Sequence, residues 1–101
     1  MTSTEILAAI RATFNVTDAD LTSGRRHRNV AEARTAAAYF MVTMANADRR
    51  DVARLFKRTT GWVGYCVYRL PDLTAADKFY AGRVNSVYRA LAPVALLEAA
   101  A

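Results

Sequence analysis

The sequence predicts an all-α fold, a compact bundle of about five to six helices containing a helix-turn-helix preceded by a basic loop. Three observations predict it. Apolar residues recur at helical spacing along most of the 101-residue chain, and no segment reads as a strand. Two short helical stretches, 49–56 and 63–70, are separated by a few polar residues and a glycine, which is the pattern of helix-turn-helix. Finally, the run Arg25, Arg26, His27, Arg28 has no apolar period and follows the breaker cluster Thr22-Ser23-Gly24, so it reads as an exposed cationic loop.

Each element has its own signal. Ile6, Ile10 and Phe14, with Leu7 and Ala9 beside them and Thr2 or Ser3 as cap, predict a first helix over residues 4–13. A short helical turn over 18–21 precedes the basic loop. From Val30 to Met44 the chain is almost continuously helix-forming, with Ala33, Ala37, Phe40, Met41 and Met44 on one stripe, which predicts the longest and most buried helix. Asp48 is a good N-cap for a short helix over 49–56 that turns Val52, Leu55 and Phe56 inward. After the connection 57–61, Val63, Val67 and Leu70 mark a helix that Pro71 is expected to stop. A last helix is expected to start near Asp72 or Thr74 and to run through Phe79, Val84, Val87, Tyr88 and Leu91. Residues 1–91 then form the domain, and Pro93 with an Ala-rich stretch makes 92–101 a C-terminal tail.

Composition narrows the function. A chain of this size buries roughly two thirds of its unfolded surface, enough for one modest core and too little for an ATPase domain with a second module. No apolar stretch approaches the roughly 18 residues that span a bilayer, and residues 1–5 are polar rather than signal-like, so the expectation is a cytoplasmic protein without a membrane partner. One cysteine, Cys66, and one histidine, His27, cannot build a disulfide or a structural zinc site, so no metal is expected. Cys66 is expected in the core and His27 in the solvent-facing loop. The glycines at 24, 61, 64 and 82 form no phosphate-cradling loop, and nucleophile and base have no credible pairing. Neither catalysis nor a cofactor is expected.

Charge is unevenly spread. The chain carries +5 overall, yet residues 22–69 hold ten basic residues against Glu32, Asp48 and Asp51, a net of +7 that leaves −2 for the remainder. Arg25, Arg26, Arg28, Arg34, Arg49, Arg50, Arg54, Lys57, Arg58 and Arg69 make a stripe that attracts polyanions. On charge alone, a solvated arginine-rich surface is the alternative.

The segment Asp20-Leu21-Thr22-Ser23-Gly24-Arg25-Arg26-His27-Arg28-Asn29-Val30-Ala31-Glu32-Ala33-Arg34 is similar to the basic-loop signature of a known family, a serine followed by Arg-Arg-x-Arg and then Val-Ala-x-x-Arg. Asp48-Arg49-Arg50-Asp51-Val52-Ala53 takes the place of that family's Ser-Leu-Pro-Glu-Ile-Gly, and the stretch from Asp77-Lys78-Phe79-Tyr80 to Leu91 looks like its last helix. Over residues 4–91 the chain thus resembles the DNA-binding C-terminal domain of the bacterial replication initiator DnaA, a Trp-repressor-like helix-turn-helix. The resemblance implies double-stranded DNA as partner, with Arg26, flanked by Arg25, His27 and Arg28, in the minor groove. It implies that Arg34, Arg49 and Arg50 lie near the duplex, an exposed salt bridge being the alternative for Arg34. The expectation is a stand-alone, diverged copy without the ATPase, a bacterial or phage-related transcription regulator at the nucleoid, and, since the sequence shows no signature of oligomerisation, a monomer by default. Activators of phage-like gene-transfer-agent clusters are a similar case, with RNA polymerase or another transcription protein as a second partner.

The departure lies where sequence is read. The family's Gly-Gly-Arg-Asp-His-Thr-Thr-Val becomes Lys57-Arg58-Thr59-Thr60-Gly61-Trp62-Val63, one residue shorter, so a different target sequence is implied. Thr59 and Thr60 offer hydroxyls to a base edge or phosphate. Trp62 has three readings: against thymine methyls, folded into the core, or docking a partner. Tyr65 and Tyr68 flank Gly64 on an unusually apolar face. That face carries the alternative function, an interaction module docking replication or transcription machinery through the 61–70 helix.

Overall fold

Local capping sets the first two helices. In the computed structural model, which describes residues 1–24 and 26–100, the Thr2 hydroxyl accepts the Glu5 N–H while the Glu5 carboxylate accepts the Thr2 N–H, so helix α1 runs Ser3–Phe14. Asn15 ends it in the left-handed region at φ 54°. Thr17 and Asp20 repeat the reciprocal cap, and α2 spans Asp18–Thr22.

Helix α3, Arg28–Thr43, is the hub. It buries Val30, Ala33, Arg34, Ala36, Ala37, Ala38, Phe40 and Met41, and the four alanines let its neighbours pack close. It is the most buried helix but not the longest, contrary to expectation: α5 has 17 residues and α6 has 23. Around it pack α1, α2, α4 (Arg49–Phe56, capped by Asp48), α5 (Thr60–Ala76, capped by Thr59) and α6 (Lys78–Ala100). The described residues form no strand. One apolar core joins Ile6, Ile10 and Phe14 of α1 to Val52 and Phe56 of α4, Val63, Cys66 and Leu70 of α5, and Val84, Val87 and Leu91 of α6. Cys66 is fully enclosed, and burial pushes its thiol up to about 11.

Both proline expectations fail. Pro71 and Pro93 each lie inside a helix. Beyond Pro71, Leu73 still packs on the core and the Thr74 hydroxyl donates to the Leu70 and Pro71 carbonyls, 3.1 and 3.0 Å away. The helix therefore continues to Ala76, and α6 starts later than predicted, at Lys78, just after Asp77, whose carboxylate accepts the Phe79 and Tyr80 N–H groups. Residues 92–100 continue α6 beyond Pro93. The N-terminal amine of Met1 pairs with Glu98 there. One apolar residue assigned inward, Leu55, faces solvent instead at 38% exposure, and Phe79 of α6 is 85% exposed.

Polar ties fix α6 against α3. The Arg83 guanidinium donates to the Glu32 carboxylate at 2.7 Å and to the Asn29 side-chain oxygen at 2.9 Å, and it lies 5.1 Å from the Phe14 ring centroid. The Tyr80 hydroxyl donates to the Glu32 carbonyl. Asn29 in turn donates to the Phe14 carbonyl, closing the C-terminus of α1.

Candidate nucleic-acid interface

The turn between α4 and α5 is built from three caps. Asp48 accepts the Arg50 N–H at 2.8 Å and opens α4. Lys57 closes α4 in the left-handed region at φ 55°, where its N–H and that of Arg58 meet the Ala53 and Arg54 carbonyls. The Thr59 hydroxyl accepts the Trp62 N–H and opens α5. Lys57, Arg58, Thr59, Thr60 and Gly61 are all exposed around this turn. Thr59 therefore uses its side chain as a cap, leaving Thr60 as the open hydroxyl.

Trp62 packs. Its ring lies 5.6 Å from that of Phe56, half-buried against the core, and the Arg58 guanidinium lies 5.9 Å from it. Of its three readings, core packing is the one the geometry supports, and Trp62 also gives Arg58 an aromatic platform. Tyr65 and Tyr68 point outward at 50% and 78% exposure.

Arg34 departs most from its assigned place beside the duplex. It is 4% exposed, with Nε donating to the Leu21 carbonyl at 3.0 Å and Nη2 to the Ser23 carbonyl at 2.9 Å. Those carbonyls belong to the C-terminus of α2, which a guanidinium caps well. Neither phosphate contact nor an exposed salt bridge fits such a buried side chain. Burial lowers its pKa, and the like charge of Arg58 lowers it further, while α2, which leads into the basic loop, packs against α4 of the helix-turn-helix. Arg34 is thus a positioning residue that ties α3 to the end of α2, where the chain leads into the basic loop.

The remaining cations fall into two groups. Arg50 is held by Asp48, Arg54 by Asp51 at 3.0 Å, Arg69 by Asp72 at 3.6 Å, and Arg28 by Asp77 at 2.7 Å. Its hydrogen bonds to Arg50 hold the Asp48 carboxyl at about 2. Arg26, Arg49 and Lys57 have no carboxylate among the described residues, and Arg58 has only its tryptophan. His27 is exposed beside Arg26, and Arg25 lies outside the described residues. Within residues 22–69, the described cations without carboxylates are thus Arg26 in the basic loop, Arg49 at the start of α4, and Lys57 and Arg58 in the turn; on α6, Lys78 and Arg89 are also exposed without one.

Short first helix, capped turn and longer second helix make α4 and α5 a helix-turn-helix, with a cationic loop entering α3. The family model for the bacterial DnaA protein helix-turn-helix matches residues 3–67. The chain belongs to that family. Comparison with curated proteins gives no match. The match reaches from α1 into α5, so the likeness drawn for residues 77–91 lies beyond it. As a member of the DnaA helix-turn-helix family, the protein is a DNA-binding domain and not an enzyme, and DNA is its partner. Among the described residues no helix is long and apolar enough to cross a membrane, and no cluster of residues is arranged to hold a metal.

Two further residues shape this surface, Gly64, which the sequence places on the apolar face of the 61–70 helix, and Asn29, to which the sequence reading gives no role. Gly64 gives up its side-chain volume to Arg49, whose Nη1 would lie 3.4 Å from a Cβ there. Asn29 links α1 to Arg83 of α6 just after the loop. An interior helical glycine without positive φ is the signal for the first, since its cost of about 1 kcal/mol needs an offset.

Proposed function

We propose that the protein is a sequence-specific reader of double-stranded DNA that regulates transcription in a bacterium or its phage. The first turns of α5 enter the major groove, and Arg26 of the basic loop enters the adjacent minor groove. The observation that carries this reading is the family match over residues 3–67 together with four exposed cations without carboxylates among the described residues, Arg26 in the basic loop and Arg49, Lys57 and Arg58 in the helix-turn-helix. Guanidinium groups are drawn to the narrow A/T-rich minor groove, whose walls concentrate negative potential. Arg28 and Arg50, exposed and paired with Asp77 and Asp48, can exchange carboxylate for phosphate on binding. The protein binds as a monomer at the nucleoid and contacts RNA polymerase through surface outside the duplex.

Selection from a random duplex library at low and near-physiological salt tests this, with the initiator's box as reference. A motif that survives the higher salt is expected, and Arg26→Ala should weaken binding most on A/T-flanked sites. Enrichment of nothing, with binding that vanishes as salt rises, would leave only counterion release.

A second reading rests on the exposure of Tyr65 and Tyr68. It makes this face a dock for a partner protein, and it requires Tyr65→Ala to abolish that contact while duplex affinity stays unchanged.

A further inference from the structure

The outward face of the first three turns of α5 is poor in reading chemistry. Thr60, Gly61, Gly64, Tyr65 and Tyr68 occupy it, and none offers the paired donors that recognise a guanine edge. Arg58 lies against Trp62, and Arg69, one turn beyond Tyr65, is engaged by Asp72. Yet one planar guanidinium does lie on this face, and it comes from the other helix. Arg49, the first residue of α4, passes over α5 where Gly64 has no side chain, its Nη1 3.4 Å from the position a Cβ would take. Arg49 is exposed and has no carboxylate or carbonyl partner among the described residues. It differs in this from its neighbours Arg50 and Arg54, which carboxylates of their own helix hold.

We propose that Arg49 is a specificity-determining residue, delivered to the reading face through the notch at Gly64, where its paired N–H groups read O6 and N7 of one guanine. The inference rests on the DNA-reading function proposed above. Arg49 supplies the hydrogen-bonding readout that α5 itself lacks, while Gly64 keeps the α5 backbone low enough for the guanidinium to lie between helix and groove floor. A larger residue at 64 would push it away.

Library selection with the parent protein and Arg49→Ala, each followed by titration on the selected site at several salt concentrations, tests the proposal. The parent is expected to enrich a motif with a fixed guanine. Arg49→Ala is expected to enrich the same motif with that one position free, losing discrimination of about 5- to 150-fold there. Its dependence on salt should stay unchanged, as should its thermal midpoint, because the side chain is exposed and Asp48 still caps α4. An even loss on every duplex with a salt slope shallower by about one would make Arg49 a phosphate contact and overturn the proposal. A retained guanine, or a collapsed midpoint, would overturn it as well. A parent motif without guanine rejects this inference alone, whereas a parent that enriches nothing rejects the DNA-reading function from which it starts.

Discussion

Arg34 and Lys57 show how single side chains decide where charge can act. The Arg34 guanidinium satisfies the carbonyls of Leu21 and Ser23 inside the protein, so removing it strands those acceptors and leaves a void. Arg34→Ala is expected to cost roughly 2–4 kcal/mol of stability, measured by denaturant unfolding, and Arg34→Lys should recover little because a lone ammonium cannot span the same carbonyls. Loop amides 21–24 should lose hydrogen-exchange protection in both variants. Lys57 presents the opposite trade. It holds a left-handed conformation where the family has glycine, and it keeps a cation at the turn. Lys57→Gly should therefore raise stability by about 1 kcal/mol, read as a higher unfolding midpoint, while weakening duplex binding. A variant that gains stability without losing affinity would deny Lys57 any part in binding. The sequence makes both segments visible as clusters of arginine and lysine. It does not reveal which members are free, because pairs such as Arg28 with Asp77 join residues 49 positions apart that only the fold brings together.

Helices here are legible where their signals are local. Thr2 with Glu5 and the Asp48 cap announce α1 and α4 within four residues of chain, and the starts match to within a residue. Helix ends are read less well, because a proline's local cost of about 3 kcal/mol is weighed against packing that arrives from distant elements. Around Pro71 that packing is supplied by Leu73 and by the Thr74 hydroxyl, and the helix passes through. The same acidic caps that define helix starts also make the domain sensitive to acid. Asp48 is held at about 2, first by its hydrogen bonds to Arg50, and Asp77 is held low, first by the Tyr80 and Phe79 N–H groups it caps. Both folded-state values lie below that of an unfolded aspartate near 3.9, so their stabilisation is complete above about pH 5 and is lost as pH falls toward 2. Thermal midpoints should fall over that window. Asp48→Asn, which still caps α4 but cannot titrate, should start with a lower midpoint at pH 6 and lose less of it on acidification. An equal loss in parent and variant would show that this carboxylate has no part in the acid response.

At the scale of the whole molecule, the arrangement of charge matters more than its sum. The net +5 is modest, but the −2 carried by the terminal parts and the carboxylates that hold Arg28, Arg50, Arg54 and Arg69 leave, within the described part of the central segment, only Arg26, Arg49, Lys57 and Arg58 among the exposed cations without carboxylates. Binding to duplex should therefore depend on few phosphate contacts, fewer than the ten basic residues of the central segment suggest. If Arg26, Lys57 and Arg58 carry most of the ionic attraction, the slope of log affinity against log salt should be about −2 to −4, each neutralised phosphate contributing about −0.9. Affinity would then fall by about 15- to 250-fold between 50 and 200 mM salt. Titration of a selected duplex across that range measures the slope, and Lys57→Gly should make it shallower by about one. A slope near −9 would mean that the paired arginines also surrender their carboxylates, so that the whole central stripe, and not the loop and turn alone, forms the binding surface.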